Sequence, residues 1–239
     1  MKLNTQTLVL TSLFVATAVF AQDNQPDSQS ASPSEQIRSG IERILTPAES
    51  TAGAQRMTAK ESIGDWKQKP KEVAQKLIDK YGQPDEVTAR RLVWYNTGQW
   101  KRTEIMNEET KHDFPIPHTD FLKQTIDYRV PPDKFDDLAR FDGSVVADRT
   151  QGELSARCDK EEHNLLAINV ARDVVNGDKT PEEARDFFAE TVMASKNGEK
   201  PDYMQRLHFD VARIGTGDPD KTSAITEAAG AEPDQQEQK

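Results

Sequence analysis

The chain holds a single cysteine, Cys158, in 239 residues. One cysteine closes no internal disulfide, so the fold must stand on its core alone. Histidine is almost as scarce, with four in the chain, and aromatic residues make up only 7%. Positive charge is also short: the formal net charge is −10. Nucleic acid and anionic lipid both reward clustered Lys and Arg, so neither is expected as a partner. No Gly-rich phosphate loop, G-x-S-x-G elbow, H-E-x-x-H pair or C-x-x-C occurs. That removes the commonest nucleotide enzymes, serine hydrolases and zinc proteases, and no cofactor is expected. Past residue 21, no apolar run approaches the roughly 20 residues a bilayer requires.

The first residues, MKLNTQTLVLTSLFVATAVFAQ, run from Lys2 through an apolar stretch, Leu8 to Phe20, to small residues at Val19 and Ala21. Charge, apolar centre and small-residue exit are the order of a secretory signal. Residues 1–21 are therefore expected to be removed near Ala21-Gln22, leaving a periplasmic or secreted protein. Loss of Lys2 would take the charge from −10 to −11. A bacterial lipid anchor needs a cysteine at this point, and Gln22 stands there instead. Export without disulfides suits a bacterial envelope.

Residues 22–65 read as a flexible linker with one short amphipathic helix, Ser34 to Leu45, built on Ile37, Ile41, Ile44 and Leu45. Residues 66–212 read as one globular domain, and 213–239, without aromatics, as a disordered acidic tail. Within the domain, Lys71 to Tyr81 has helical spacing and ends at Gly82. Arg90–Tyr95 and Trp100–Met106 read as a hairpin turning on Asn96-Thr97-Gly98, with Trp94 facing Trp100. Gln124–Val130 alternates as a strand. A short helix runs to Arg140, and strands follow at Ser144–Asp148 and Leu154–Cys158. Helices Lys160–Asn176 and Thr180–Lys196 close the domain, the second opened by a Thr180–Glu183 capping box. This order predicts an α+β fold: an antiparallel sheet with helices packed on one face and two C-terminal helices.

Three stretches are candidates for a site. KHDFPIPHTDF (111–121) gathers His112, His118 and Asp120, which suit a divalent metal, or His118 as a base oriented by Asp120. The plainer reading is a connector stiffened by Pro115 and Pro117 and anchored by Phe114 and Phe121. SARCDKEEHN (155–164) sets Cys158 beside Arg157 and five residues before His163, a possible nucleophile and base near a helix start. The plainer reading makes Asp159 a helix cap answered by Glu162, and Cys158 a small buried hydrophobe. LVWYNTGQWKRTEI offers Trp94, Tyr95 and Trp100 with Lys101 and Arg102 as a stacking face. Asn164, Asn169, Arg172 and Asp173 are a further polar group on one helix, facing the Cys158 segment.

WYNTGQWKRTEI, HDFPIPHTDFL and FDGSVVADRTQGELSARCDKEEHNLLAINVARDVVNG together resemble a family of exported bacterial proteins of unknown function, over residues 70–195. The resemblance implies one folded domain with variable tails and brings no assigned reaction. KLIDKYGQPDEV with LVWY is similar to the opening of small envelope-assembly modules of the β-lactamase-inhibitor type, although the anchor cysteine of such modules is missing. The expectation is an exported, soluble, non-catalytic binding or structural domain of the envelope, taking a protein or small-molecule ligand. The alternative is an envelope hydrolase or metal-dependent enzyme using His118 with Asp120, or Cys158 with His163. The first reading sets these residues apart, with Cys158 shielded by the last two helices. The second brings His118, Arg157, Asp120 and Cys158 to one cleft.

Overall fold

In a computed structural model the described residues are 57–212, 214–228 and 230, all within one compact unit. The leader, the Ser34–Leu45 helix and the end of the acidic tail lie outside them. Helix α1 (Ala59–Ser62) is followed by α2 (Gln68–Tyr81), then strands β1 (Glu86–Thr88), β2 (Arg91–Thr97), β3 (Trp100–His112) and β4 (His118–Asp127). Helix α3 (Phe135–Phe141), strands β5 (Val145–Asp148) and β6 (Glu153–Cys158), and helices α4 (Glu161–Asn176), α5 (Pro181–Lys196) and α6 (Ala224–Ala228) complete the order. The strands form one antiparallel sheet in the order β1-β2-β3-β4-β6-β5. This is the α+β fold expected. No helix among the described residues is long and apolar enough to cross a membrane.

Register explains the layering. Leu92 stands opposite Ile105, Ile105 opposite Leu122 and Leu122 opposite Cys158, while Ile126 faces Leu154. Side chains opposite one another share a face, so these apolar positions form one continuous surface. Ala74 and Leu77 of α2 bury against its first half, and Leu166, Ile168 and Val170 of α4 against its second. The other face carries charge. Arg102 holds both oxygens of Glu153, and Lys101 bridges Asp127 and Glu153.

Local chemistry sets the ends of the elements. Thr180 and Glu183 form the reciprocal capping box at the start of α5, satisfying backbone N–H groups that have no intrahelical partner. Gly177 ends α4 in the left-handed region at φ 77°, a conformation that residues with a Cβ adopt only under strain. Glu161, the first residue of α4, ties three elements together. Its carboxylate accepts the Tyr81 hydroxyl, the Trp100 indole N–H at 2.8 Å and Lys80 at 2.7 Å.

Several expectations differ from the observed geometry. Gly98 does take the left-handed turn conformation (φ 60°), but Trp94 stands opposite Thr103 and Trp100 opposite Thr97. The two indoles therefore do not pair. Both are buried, each 1% exposed, and Trp94 donates to the Gly82 carbonyl. The stacking face expected of the hairpin is not displayed: of its aromatics only Tyr95 is exposed, and its hydroxyl is bonded to Glu86. Lys101 and Arg102 are already occupied by Asp127, Glu104 and Glu153. The supposed linker end, Ala59 to Asp65, is helical, with Ala59 and Ile63 buried. In the supposed tail, Thr216 is buried and Asp218 reaches Arg149 and Arg129.

Candidate metal centre

The stretch expected to be a connector is mostly sheet. Strands β3 and β4 run into it from both sides, leaving only residues 113–117 as the turn. The strand pairing carries an irregularity that builds the site. Between Ile105 and Thr110, β3 advances five residues while β4 moves only two, from Leu122 to Asp120. In the unshifted register Glu109 would stand opposite His118. The surplus residues put His112 there instead, with its ring centroid 5.0 Å from that of His118. Bulges are a common device for re-aiming a side chain. The turn itself is fixed by Phe114, which packs on Phe188 and lies under the Arg185 guanidinium at 3.8 Å.

Cys158 reaches the site from the other flank of β4. It is the last residue of β6, and β6 lies next to β4, so Sγ sits 3.3 Å from His118 Nε2. The chain then turns into α4. Asp159 does not cap that helix, contrary to expectation: the N-cap is Lys160, and no side chain fills the role. The Asp159 carboxylate instead stands 3.0 Å from Nδ1 of His163, four residues on, with Cys158 Sγ 3.5 Å from the same nitrogen and 3.6 Å from Asp159 Oδ1.

Two adjoining triads result, His112–His118–Asp120 and Cys158–Asp159–His163, and within each the potential ligand atoms lie within 4.8 Å of one another. A tetrahedral zinc ion with bonds of about 2.0 Å to nitrogen or oxygen and about 2.3 Å to sulfur spaces its ligands by about 3.3 and 3.5 Å. In the second triad the two sulfur edges, 3.5 and 3.6 Å, fit that spacing, while the Asp159–His163 edge, at 3.0 Å, is a hydrogen-bond distance. In the first, Asp120 lies 3.0 Å from His118 Nε2 and 3.3 Å from His112 Nδ1.

The surroundings aim these atoms inward. His118 Nδ1 lies 2.8 Å from the Ile116 carbonyl, which can only accept, so this nitrogen carries the proton and Nε2 faces the cluster. His112 Nε2 faces the Asp142 carboxylate at 3.5 Å, leaving Nδ1 toward Asp120. An outer carbonyl or carboxylate on a histidine is the usual support of a metal-ligating imidazole. His112 Nδ1 and Asp120 Oδ1 are buried and make no well-aligned hydrogen bond among the described residues, although each lies against an ion-pair partner: Oδ1 is 3.0 Å from His118 Nε2, and Nδ1 is 3.3 Å from the Asp120 carboxylate. The Ser144 hydroxyl donates to the other Asp120 oxygen, and Arg157 Nε lies 3.8 Å from it.

Electrostatics argues against a free nucleophile. Burial, then the charge of Asp159 and those of Asp120 and Asp142, pushes the Cys158 thiol well above its usual value. The thiolate-favouring potential expected of the helix start is outweighed. Burial works to raise Asp120 and Asp159, but hydrogen bonds from His118 and Ser144, and from His163, hold both below the ordinary carboxylate range. Asp120 in turn holds His118 above its usual value. Burial raises Asp142. The cluster is thus rich in negative groups whose one soft donor stays protonated unless a cation enters.

Of the residues singled out in the sequence, His112, His118, Asp120, Arg157, Cys158 and His163 converge here. Trp94, Tyr95, Trp100, Lys101 and Arg102 do not. The Asn164, Asn169 and Asp173 group splits up: Asn164 bonds Leu122 and Gln124, whereas Asn169 and Asp173 hold the 203–208 segment. Asp159 and Asp142 belong to the site and were missed. The four-residue spacing of Asp159 and His163 is a signal for one, and nothing local marks the other. A cleft of about 330 Å³ opens onto His118, Asp159 and His163. A cysteine–histidine–carboxylate cluster at the end of an antiparallel sheet, beside an open cleft, defines the class as α+β proteins with a candidate transition-metal centre. No protein-family model, curated protein or solved structure matches the chain.

Proposed function

We propose that this chain is an exported metal-dependent enzyme of the bacterial envelope, most simply a hydrolase, whose centre takes zinc through the two triads. The observation that carries the reading is convergence: three of the four histidines and the one cysteine meet at ligand-edge distances from three separate segments. Imidazole with one thiolate and carboxylates suits zinc among the common divalent ions. Each triad offers three protein ligands, the number that leaves a position for water or substrate. An ion held there would polarise a substrate oxygen and acidify a water in the cleft. The chain's own groups fix His112 through Asp142, fix His118 through the Ile116 carbonyl, and hold Asp120 through Ser144. The metal reading replaces the expectation of a cofactor-free binding domain. The apolar leader supports export.

Elemental analysis of the purified, zinc-reconstituted chain tests this directly. The expected result is retained zinc, up to two ions per chain, lost from a variant carrying both His118→Ala and Cys158→Ala. A chain that retains no divalent metal after reconstitution and desalting overturns the proposal. A thiol nucleophile reads differently in the same preparation. It predicts fast alkylation of Cys158 at neutral pH, whereas a buried thiol with a raised pKa alkylates slowly.

A further inference from the structure

We infer that the cleft beside the triads is built for a small oxyanion-bearing substrate, a phosphate or carboxylate compound; this deepens the metal reading and rests on it for the substrate's placement. Three lysines border the cleft from three different elements: Lys69 in the first turn of α2, Lys160 at the start of α4 and Lys196 at the end of α5. The chain as a whole is strongly acidic, so three cations around one opening run against its average. None of the three makes an ion pair within 4 Å with a described residue. On α2, Lys80 is engaged by Glu161 and Lys71 by the Gly64 carbonyl. Asp159 is the only carboxylate lining the cleft, and it is turned toward His163 and Cys158.

The floor and far wall fit the same ligand. His118 and His163 line the cleft together with the apolar Pro115, Ile116 and Val192. The first turn of α4 opens at this point with no side chain capping it but carries Glu161 and Glu162, so the positive charge at the opening rests on the three lysines. Flexible ammonium groups suit a point-charge contact with an oxyanion better than a rigid two-pronged one. A volume of about 330 Å³ lies at the small end of ligand pockets. A larger groove of about 650 Å³ adjoins it along α2 and shares Lys69 and Lys160 with it; Glu72, Glu161 and Glu162 lie on that groove's side and not in the cleft's lining.

The test is titration of inorganic phosphate, and separately acetate, into the zinc-loaded and the chelator-treated full chain, followed by amide chemical shifts. Wild type is compared with a Lys69→Gln/Lys160→Gln/Lys196→Gln variant and with Lys134→Gln, which lies on α3's approach away from the cleft. The triple variant is expected to bind the anion about tenfold more weakly or worse, with unchanged zinc content, while Lys134→Gln matches wild type. Wild-type affinity should fall with added salt. Tighter phosphate assigns a phosphate compound, and tighter acetate a carboxylate. Should zinc fail to bind, lysine-dependent anion binding by the metal-free chain still supports the cleft. Equal affinity in wild type and triple variant, or no binding of either anion in either form, overturns it.

Discussion

Cys158 Sγ and His118 Nε2 stand 3.3 Å apart although forty residues separate them in the chain. Adjacent strands, β4 and β6, make that contact, and it joins the two triads into one centre. If each triad holds its own ion, the losses should be separable. Cys158→Ser or His163→Ala should each lower retained zinc by about one equivalent, and His112→Ala should remove the other. Circular dichroism would check that each variant folds. Wild-type zinc in all three single variants would mean that these side chains are not ligands.

Asp142 touches no reacting group, but it faces the outer nitrogen of His112 at 3.5 Å. It is a positioning residue. Supporting carboxylates of this kind are worth about 10–100-fold in metal affinity. Asp142→Asn should therefore weaken zinc binding by about that factor, measured by chelator competition, with a smaller effect than His112→Ala. An affinity equal to wild type would show that His112 is oriented by something else.

The residue types of the centre were legible in the sequence, because histidine and cysteine are scarce and His112, His118 and His163 sit in two short polar stretches. Their meeting was not. It depends on the surplus residues between Ile105 and Thr110, which no local pattern announces, and on β6 joining the sheet beside β4 rather than at an edge. Asp159 was misjudged because its spacing to Glu162 fits a capping box as well as its spacing to His163 fits a site. The helices and the sheet class were readable from periodicity and from caps such as Thr180–Glu183. The hairpin register was not, since it turns on the left-handed Asn96 (φ 52°) as well as Gly98. Trp94 and Trp100 read as a surface because β alternation says that neighbours diverge, not which one is buried.

Glu161 gives a pH-dependent prediction. Burial works to raise its pKa, but Lys80, Tyr81 and Trp100 bind the charged form and hold it below the usual 4.5. A carboxylate with a depressed folded-state pKa stabilises the fold fully above its unfolded value and loses that contribution as pH falls through the folded value. Glu161→Gln should thus destabilise by about 1–3 kcal/mol at pH 7. The gap between variant and wild type should narrow as the pH falls below 4.5 and through the lower folded-state value. Urea unfolding at several pH values measures it. A gap that does not narrow in acid would place Glu161's role outside its charge.

Gly152 predicts how firmly the C-terminal segment is seated. Its φ is +66°, and a Cβ there would lie 2.2 Å from the Thr216 carbonyl carbon and 2.4 Å from the Gly217 nitrogen. The segment is held over this turn by Asp218, whose backbone N–H donates to the Arg149 carbonyl and whose carboxylate meets the Arg149 guanidinium. Gly152→Ala therefore carries two costs: a left-handed backbone, about 1–2 kcal/mol, and expulsion of residues 216–218. Only the first persists in a chain truncated after residue 212. The loss on substitution should then be larger in the full chain than in the truncated one by about 1 kcal/mol or more, read from urea midpoints. The substituted full chain should also be cleaved near residues 214–220 by a dilute protease that spares wild type. Equal losses in the two backgrounds would mean that the segment does not rest on Gly152 in solution.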